Sequence, residues 1–420
     1  MIKVLQAVKD HPLVDLLLNV RGNQRICIFI EPLWGIPFNL IAPFTTLYMY
    51  ALGVDDIQIG LILSIAMIVQ VVFSFFGGII ADKLGRKATT ILGDFLGWSV
   101  ACAIWAVSQN FWFFLAAVLF NSFEQVNQTS WTCLFIEDAK EKDILNLFTW
   151  ITIAGLLAVF FAPISGVLVG RFSLVPVARV IYAIYSVTML CKCIITWRYT
   201  TETTQGKIRK AETSGVSVWA MVGEYRHLIP MIFKSRATLQ TLAIMVIVYI
   251  TNMINTSFFG LYINQSLSIP EGYLAFFPIL RAIVMLSFMF GIQHRLQRMS
   301  IKIPMQAGLL LYIACQALLI FSPKGMLLPI IAFTLLEAVA NALVFPRKDS
   351  MLAMNVDPKE RARIVALLTA FMIAFSSPFG YLAGLLSSLD RRLPFLFSAM
   401  LYVIALVVIW GYRAREFAEE

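Results

Sequence analysis

Glu31, Glu124, Arg281 and Glu337 stand in stretches of sequence that are otherwise almost free of charge. An ionised side chain costs about 2.5–3.5 kcal/mol near the middle of a membrane helix, so such groups face a bundle interior or a water path. Polar neighbours recur on the same helical faces. Gly35 and Asn39 follow Glu31 at four-residue steps. Asn121, Glu124, Gln125, Gln128 and Thr132 fall within about 60° of one line at the helical repeat. Asn252, Asn255 and Thr256 form a third patch, and Thr334, Glu337 and Asn341 a fourth. These residue types suit proton exchange and hydrogen bonding to a small solute, because a carboxyl in a poorly hydrated cavity can change its protonation state during a working cycle. Glu124 is the first candidate for proton coupling, followed by Glu31 and Glu337. Asn39, Asn121, Gln125, Gln128, Asn252, Asn255, Arg281 and Asn341 are candidates for the wall of a substrate cavity.

Each charged group also has a structural alternative. Glu31 could pair with Arg21 or Arg25 at the interface, Glu124 could anchor a hydrogen bond, and Glu337 could simply hold Arg281. Asp94 reads as part of a cytoplasmic charge network rather than of a substrate site. Lys192 reads as a side chain snorkelling to the inner interface. The sequence contains no metal-ligand box, serine nucleophile elbow or phosphate loop. Its six cysteines show neither CxxC spacing nor nearby histidine clusters. No cofactor, metal site or enzymatic activity is therefore expected.

The elements that must position these groups follow from composition. Apolar residues make up 60% of the 420 and charged residues only 14%, with a mean hydropathy of +0.81. Crossing about 30 Å of hydrocarbon takes roughly 20 apolar residues, and twelve segments meet that length: 26–52, 57–81, 88–108, 111–136, 145–170, 174–197, 238–263, 273–293, 303–322, 326–346, 364–388 and 393–412. Residues 1–25 lack a signal-peptide pattern; their Val4, Leu5, Val8, Leu13, Leu16 and Leu17 suit an amphipathic surface helix, whole or broken at Pro12. Of the 33 Lys and Arg side chains, 27 fall on the side holding both termini and five on the other. Basic residues favour the cytoplasmic side, so both termini are expected inside, with Asn110 and Gly325 outside and Thr213 inside. The net charge of +9 is then a matter of topology and does not call for nucleic acid.

The longest polar stretch, 198–236, leaves six spans on either side. The expected organisation is a cytoplasmic segment 1–25, a bundle 26–197, a middle loop 198–236, a bundle 237–412 and a tail 413–420. An internal duplication supports the division. The Asp138-Ala139-Lys140-Glu141 run resembles Asp357-Pro358-Lys359-Glu360, and Pro163 in span five corresponds to Pro378 in span eleven. Repeats of this kind are common in secondary transporters.

Between spans two and three runs Gly78-Ile79-Ile80-Ala81-Asp82-Lys83-Leu84-Gly85-Arg86-Lys87. This order resembles the signature loop of the major facilitator superfamily, and the resemblance extends from about Arg25 to Arg413. It implies an all-α integral membrane protein with twelve transmembrane helices in two pseudo-symmetric six-helix bundles. It also implies a cytoplasmic gate carried by Asp82, Gly85, Arg86, Glu137 and Asp138, and a cavity lined by spans one, four, seven and ten. Spans three, six, nine and twelve should carry few polar residues in their centres. The second half keeps a basic run at Gly291–His294–Arg298 but lacks the acid. Pro163 and Gly166 resemble the proline-glycine motif of proton-driven exporters, with Ala162 where a glycine is usual, and the basic residue often found within span four of such exporters is missing.

The activity implied is secondary transport by alternating access in the cell membrane, as a proton-coupled antiporter exporting small organic or drug-like solutes. A sugar or glycoside transporter is the alternative, and a non-transporting receptor or scaffold the alternative of another class. Expected partners are the lipid bilayer, a small-molecule substrate and protons, with no nucleic acid and the monomer as the working unit.

Overall fold

The computed structural model describes residues 12–217, 230, 232–233, 235–291, 301–354 and 361–412. Regular structure among them is helical throughout. Among the described residues, eleven helical stretches are long and apolar enough to cross a bilayer. The fourth expected span, 111–136, is instead two helices, α8 (Phe111–Asn121) and α9 (Glu124–Ile136), joined by a turn at Ser122 and Phe123. The cause is local. Ser122 Oγ bonds back to Val118 O at 3.0 Å, and the Asn121 amide donates to Gly97 O at 2.6 Å on a neighbouring segment. The acid of the second-half repeat at Asp357, most of the basic run 291–298, Val4, Leu5, Val8 and the tail 413–420 lie outside the described residues.

The chain divides into two compact units. The first comprises Met1–Ala42, Val72–Ala162 and Pro176–Val218, the second Pro43–Val71, Pro163–Val175 and Trp219–Glu420.

The first unit contains α1 (Pro12–Asn19), α2 (Gly22–Ile30), α3 (Pro32–Ile41), α6 (Arg86–Asp94), α7 (Ala101–Val107), α8, α9, α10 (Glu141–Val159), α12 (Leu174–Tyr199) and α13 (Thr204–Glu212). Leu16 and Val20 pack with Cys27, Ile28, Phe135 and Leu147, so the apolar face of α1 is covered by protein. Between α6 and α7 the chain makes a π-helical turn over Phe95–Val100. Gly93 and Gly97, one helical turn apart, let α9 come close. A methyl group on Gly93 would meet Asn127 Cβ at 2.6 Å, and one on Gly97 would meet Glu124 N at 3.0 Å. These glycines bring Asp94 beside Glu124 and Asn127.

The second unit includes α5 (Asp56–Leu84) as far as Val71, α14 (Arg236–Leu261), α15 (Phe277–Gly291), α16 (Lys302–Ile320), α17 (Leu327–Met354), α18 (Arg361–Leu389) and α19 (Leu393–Trp410). Pro346 and Pro378 lie inside helices, where a proline leaves the carbonyl four residues earlier without its backbone donor. In each case the next or preceding side chain takes over. Arg347 Nη1 donates to Ala342 O at 3.2 Å, and Ser377 Oγ donates to Ala374 O at 2.9 Å. Asp56 accepts from Ser387 Oγ at 2.6 Å and pairs with Arg391 at 3.0 Å.

Exposure decides where topology is best read. Asn110 and Gly325 are exposed, whereas Thr213 is 6% exposed and donates to Asp82 O at 3.1 Å. Ser214, which is exposed, is therefore the inner reporter. In a background without native cysteines, N110C and G325C should react with an impermeant thiol reagent added to intact cells, and S214C should not. The reverse pattern would place both termini outside.

Candidate functional site

In the first unit, ionisable side chains converge from four elements. Glu31 joins α2 to α3, Asp94 ends α6, Glu124 starts α9 and Lys192 lies seven residues before the end of α12. All four line one cavity of about 140 Å³, together with Trp34, Trp98, Asn127, Gln128 and Trp131. Lys192 Nζ stands 3.4 Å from Asp94 Oδ2, and both residues are almost fully buried. Asn127 Nδ2 donates to Asp94 Oδ1 at 2.6 Å. Trp34 and Trp98 meet edge to face at 5.7 Å. Three carboxyls thus share one ammonium in a membrane-embedded pocket.

Two expectations are corrected here. Lys192 does not snorkel to the interface: it is 4% exposed and points at Asp94. Asp94 belongs to this pocket and takes no part in the charge network around Asp82. The cavity face of α9 differs from the expected polar line. Glu124, Asn127, Gln128 and Trp131 line the cavity at i, i+3, i+4 and i+7. Gln125 is not among the lining residues, and Asn121 is held by Gly97 O and by Trp105 Nε1 at 2.9 Å. Asn39 donates to Gly35 O within its own helix at 2.8 Å.

The second unit has its own polar core. Arg281 Nη2 pairs with Glu337 Oε2 at 2.7 Å, and Asn255 Nδ2 donates to Glu337 Oε1 at 3.1 Å. Gln316 Nε2 donates to Asn255 Oδ1 at 3.2 Å. The Arg281 guanidinium lies 5.7 Å from the centre of the Phe259 ring. Tyr312 donates to Asn341 at 2.5 Å and stacks on Tyr402. Asn252 is exposed.

The signature loop forms a third cluster, again within the first unit. Arg86 pairs with Asp82 at 2.6 Å and with Glu137 at 3.1 Å. Arg209 on α13 pairs with Asp82 from the other side at 2.9 Å, and that hydrogen bond holds its guanidinium above the ordinary arginine value. Thr203 Oγ1 donates to Glu137 at 2.6 Å and accepts from Gly206 N at 2.9 Å, capping α13. Asp138 accepts from Thr204 N at 3.2 Å. Glu202 closes the cluster by accepting from Arg86 N at 2.9 Å and Lys87 N at 3.2 Å, which satisfies the first backbone donors of α6. Sequence reasoning missed Glu202, Thr203 and Arg209. Thr203, a capping residue three positions before Gly206, was the available signal.

Gly85 has φ 95° and ψ 161°, a region essentially restricted to glycine, and a methyl group there would run into the Glu202 carboxylate. G85A should therefore lower stability by about 1–3 kcal/mol. E202A, which strips the α6 cap, should cost about 1 kcal/mol. Thermal melting of the purified protein measures both, and a G85A protein melting at the parent temperature would contradict this account.

Similarity to known proteins agrees with the geometry. A family profile described as Major Facilitator Superfamily matches residues 33–327 and 241–420. The uncharacterized MFS-type transporter YqjV of Bacillus subtilis (strain 168) is 29% identical over 168 residues, 39% of this chain and 41% of that protein. The multidrug resistance protein MdtG of Serratia proteamaculans (strain 568) is 36% identical over 105 residues, 24% of this chain and 25% of that protein. The matches thus span under half the length of either relative. The crystal structure of nucleoside transporter NupG superposes with a TM-score of 0.70 at 17% identity, covering 94% of this chain and 100% of that one. A POT family transporter solved with a thioalcohol conjugated peptide gives a TM-score of 0.69 at 13% identity, covering 92% and 95%. At such identities these two likenesses concern the fold. With its helices long enough to cross a bilayer many times, its signature loop and the extent of the family match, this multi-pass membrane protein belongs to the Major Facilitator Superfamily.

Proposed function

We propose that this protein is a secondary transporter that works by alternating access, coupling proton movement to the export of small organic or drug-like solutes. In this reading residues 26–197 and 237–412 are two six-helix bundles, 198–236 is the loop between them, both termini are cytoplasmic, and the monomer is the working unit. The observation that carries it is the pocket where Glu31, Asp94, Glu124 and Lys192 meet. One ammonium leaves two of three carboxylates unbalanced, and unbalanced charge in hydrocarbon is costly. A proton, or a cationic solute, supplies what is missing, and exchanging one for the other is the elementary act of an antiporter. The resemblance to multidrug resistance proteins supports drug-like solutes over sugars.

The pair Arg281–Glu337 balances itself, so the second unit contributes position and hydrogen-bonding walls, with coupling centred on Glu124 and its neighbours. Asp82, Arg86, Glu137 and Arg209 act as a cytoplasmic gate. They hold α13 against the α5–α6 turn in one conformational state and do not touch the solute.

In proteoliposomes with an imposed pH gradient, E124Q should lose proton-driven accumulation of a solute found by screening, while exchange between equal compartments continues. Retention of accumulation, with unchanged proton stoichiometry, by each of E31Q, D94N and E124Q would overturn proton coupling. D82N should slow transport severalfold and leave equilibrium binding within a few-fold. A hundredfold loss of binding with unaltered accessibility from both sides would speak against the gate role.

A further inference from the structure

The pocket of the first unit also bears on the chemical class of its ligand, an inference that rests on the transport reading above. Its unused hydrogen-bonding capacity is almost all of one kind. Glu31 Oε2, Asp94 Oδ2 and Asn127 Oδ1 are buried acceptors, the first and last without a hydrogen-bond donor and Asp94 Oδ2 with Lys192 Nζ 3.4 Å away. Their residues are 9%, 1% and 7% exposed, and each lines the cavity. Against them stands one orphaned donor on a lining residue, Trp131 Nε1. Buried acceptors left unsatisfied are destabilising, so a ligand that brings several donors on a cationic centre fits this cavity best. An anion would meet three carboxyls.

Lys192 is the cation among the lining residues. Its ammonium has three donors on a flexible four-carbon stem, yet it sits 3.4 Å from Asp94 Oδ2. This is the longest ion pair among the described residues, the others lying between 2.6 and 3.1 Å. Asp94 is meanwhile fixed through its other oxygen by Asn127, so the carboxylate stays aimed when the lysine moves. Trp34 and Trp98 supply flat walls, and aromatic faces attract cations.

We propose that Lys192 is a tethered ammonium that keeps the place of a substrate's own ammonium. The cavity takes protonated amines with a flat apolar body, and these displace Lys192 from Asp94 as they bind.

The test is equilibrium binding to the purified full-length protein in lipid nanodiscs at pH 7, with three probes of one shape. These are tryptamine, the neutral 3-(indol-3-yl)propan-1-ol and the anion 3-indolepropionate. Tryptamine should bind at least tenfold more tightly than the alcohol, and the anion should not compete. K192Q, which removes the internal competitor, should bind tryptamine five- to tenfold more tightly. K192R, whose fork can bridge Asp94, should bind it about tenfold more weakly, and this variant decides the matter should K192Q fail to fold. Wild-type affinity in K192R, loss of tryptamine binding in a K192Q protein with a normal melting transition, preference for the anion, or binding of none of the three probes would each overturn the proposal. Counterflow of tryptamine in proteoliposomes separates this from the transport reading. Binding as expected without any counterflow would refute transport alone, and counterflow of other solutes with failed tryptamine binding would refute the amine site alone.

Discussion

Charge placed in hydrocarbon must be balanced close by, and the arrangement of this protein's interior follows from how each unit meets that demand. In the second unit, Glu337 is matched by Arg281 at 2.7 Å and braced by Asn255. In the first, Glu31, Asp94 and Glu124 share Lys192 alone. The first arrangement is self-contained and the second is short of positive charge. A site with a standing deficit can be completed by a proton or an organic cation, whereas a matched pair has nothing to exchange.

Bringing these groups together requires backbones to approach more closely than ordinary side chains allow. Gly93 and Gly97 do this for the first unit, where α9 lies against α6 and the π-helical turn after Asp94. A separate close approach in the second unit is made by Gly60, Gly380 and Gly384, where α5 crosses α18 so tightly that a methyl group on Gly60 would meet Gly380 O at 2.5 Å. Prolines in the same regions free carbonyls that side chains then satisfy, as Arg347 and Ser377 do. Close packing of this kind suits a bilayer, where association between helices depends on van der Waals contact and on satisfying every polar group.

The signature loop belongs to a larger structure than its ten residues. Asp82 is gripped from two sides, by Arg86 one helical turn away and by Arg209 on a helix after the sixth span. Glu202 caps α6 through the gap that Gly85 leaves open, and Asn23 and Thr201 exchange hydrogen bonds at 2.8 and 2.9 Å. The stretch after α12 is thereby built into the charge network of the signature loop, so a disturbance in residues 200–213 is felt at Asp82.

How much of this was legible in the sequence depended on whether the signal was local. Apolar run length pointed to a chain that crosses the membrane many times, because crossing hydrocarbon is a requirement on consecutive residues, but it did not show that 111–136 is two helices. The order of residues from Gly78 to Lys87 pointed to the family, and the pairings of Arg86 with Asp82 and Glu137 agree with what it implied. Glu31, Glu124 and Glu337 stood out because a charge in an apolar run is visible without knowing its neighbours. Tertiary structure alone decided which of them meet. Asp94 lies near the beginning of its span and Lys192 near the end of its own, so each read as interfacial, and only the packing of α6 against α9 and α12 buried them together. The turn at Ser122 separates Asn121 from the helix that carries Glu124, Asn127, Gln128 and Trp131 to the cavity. Periodicity within one segment cannot register such a break, nor a partner 98 residues away, because the distance between side chains on different helices is set by how the helices pack.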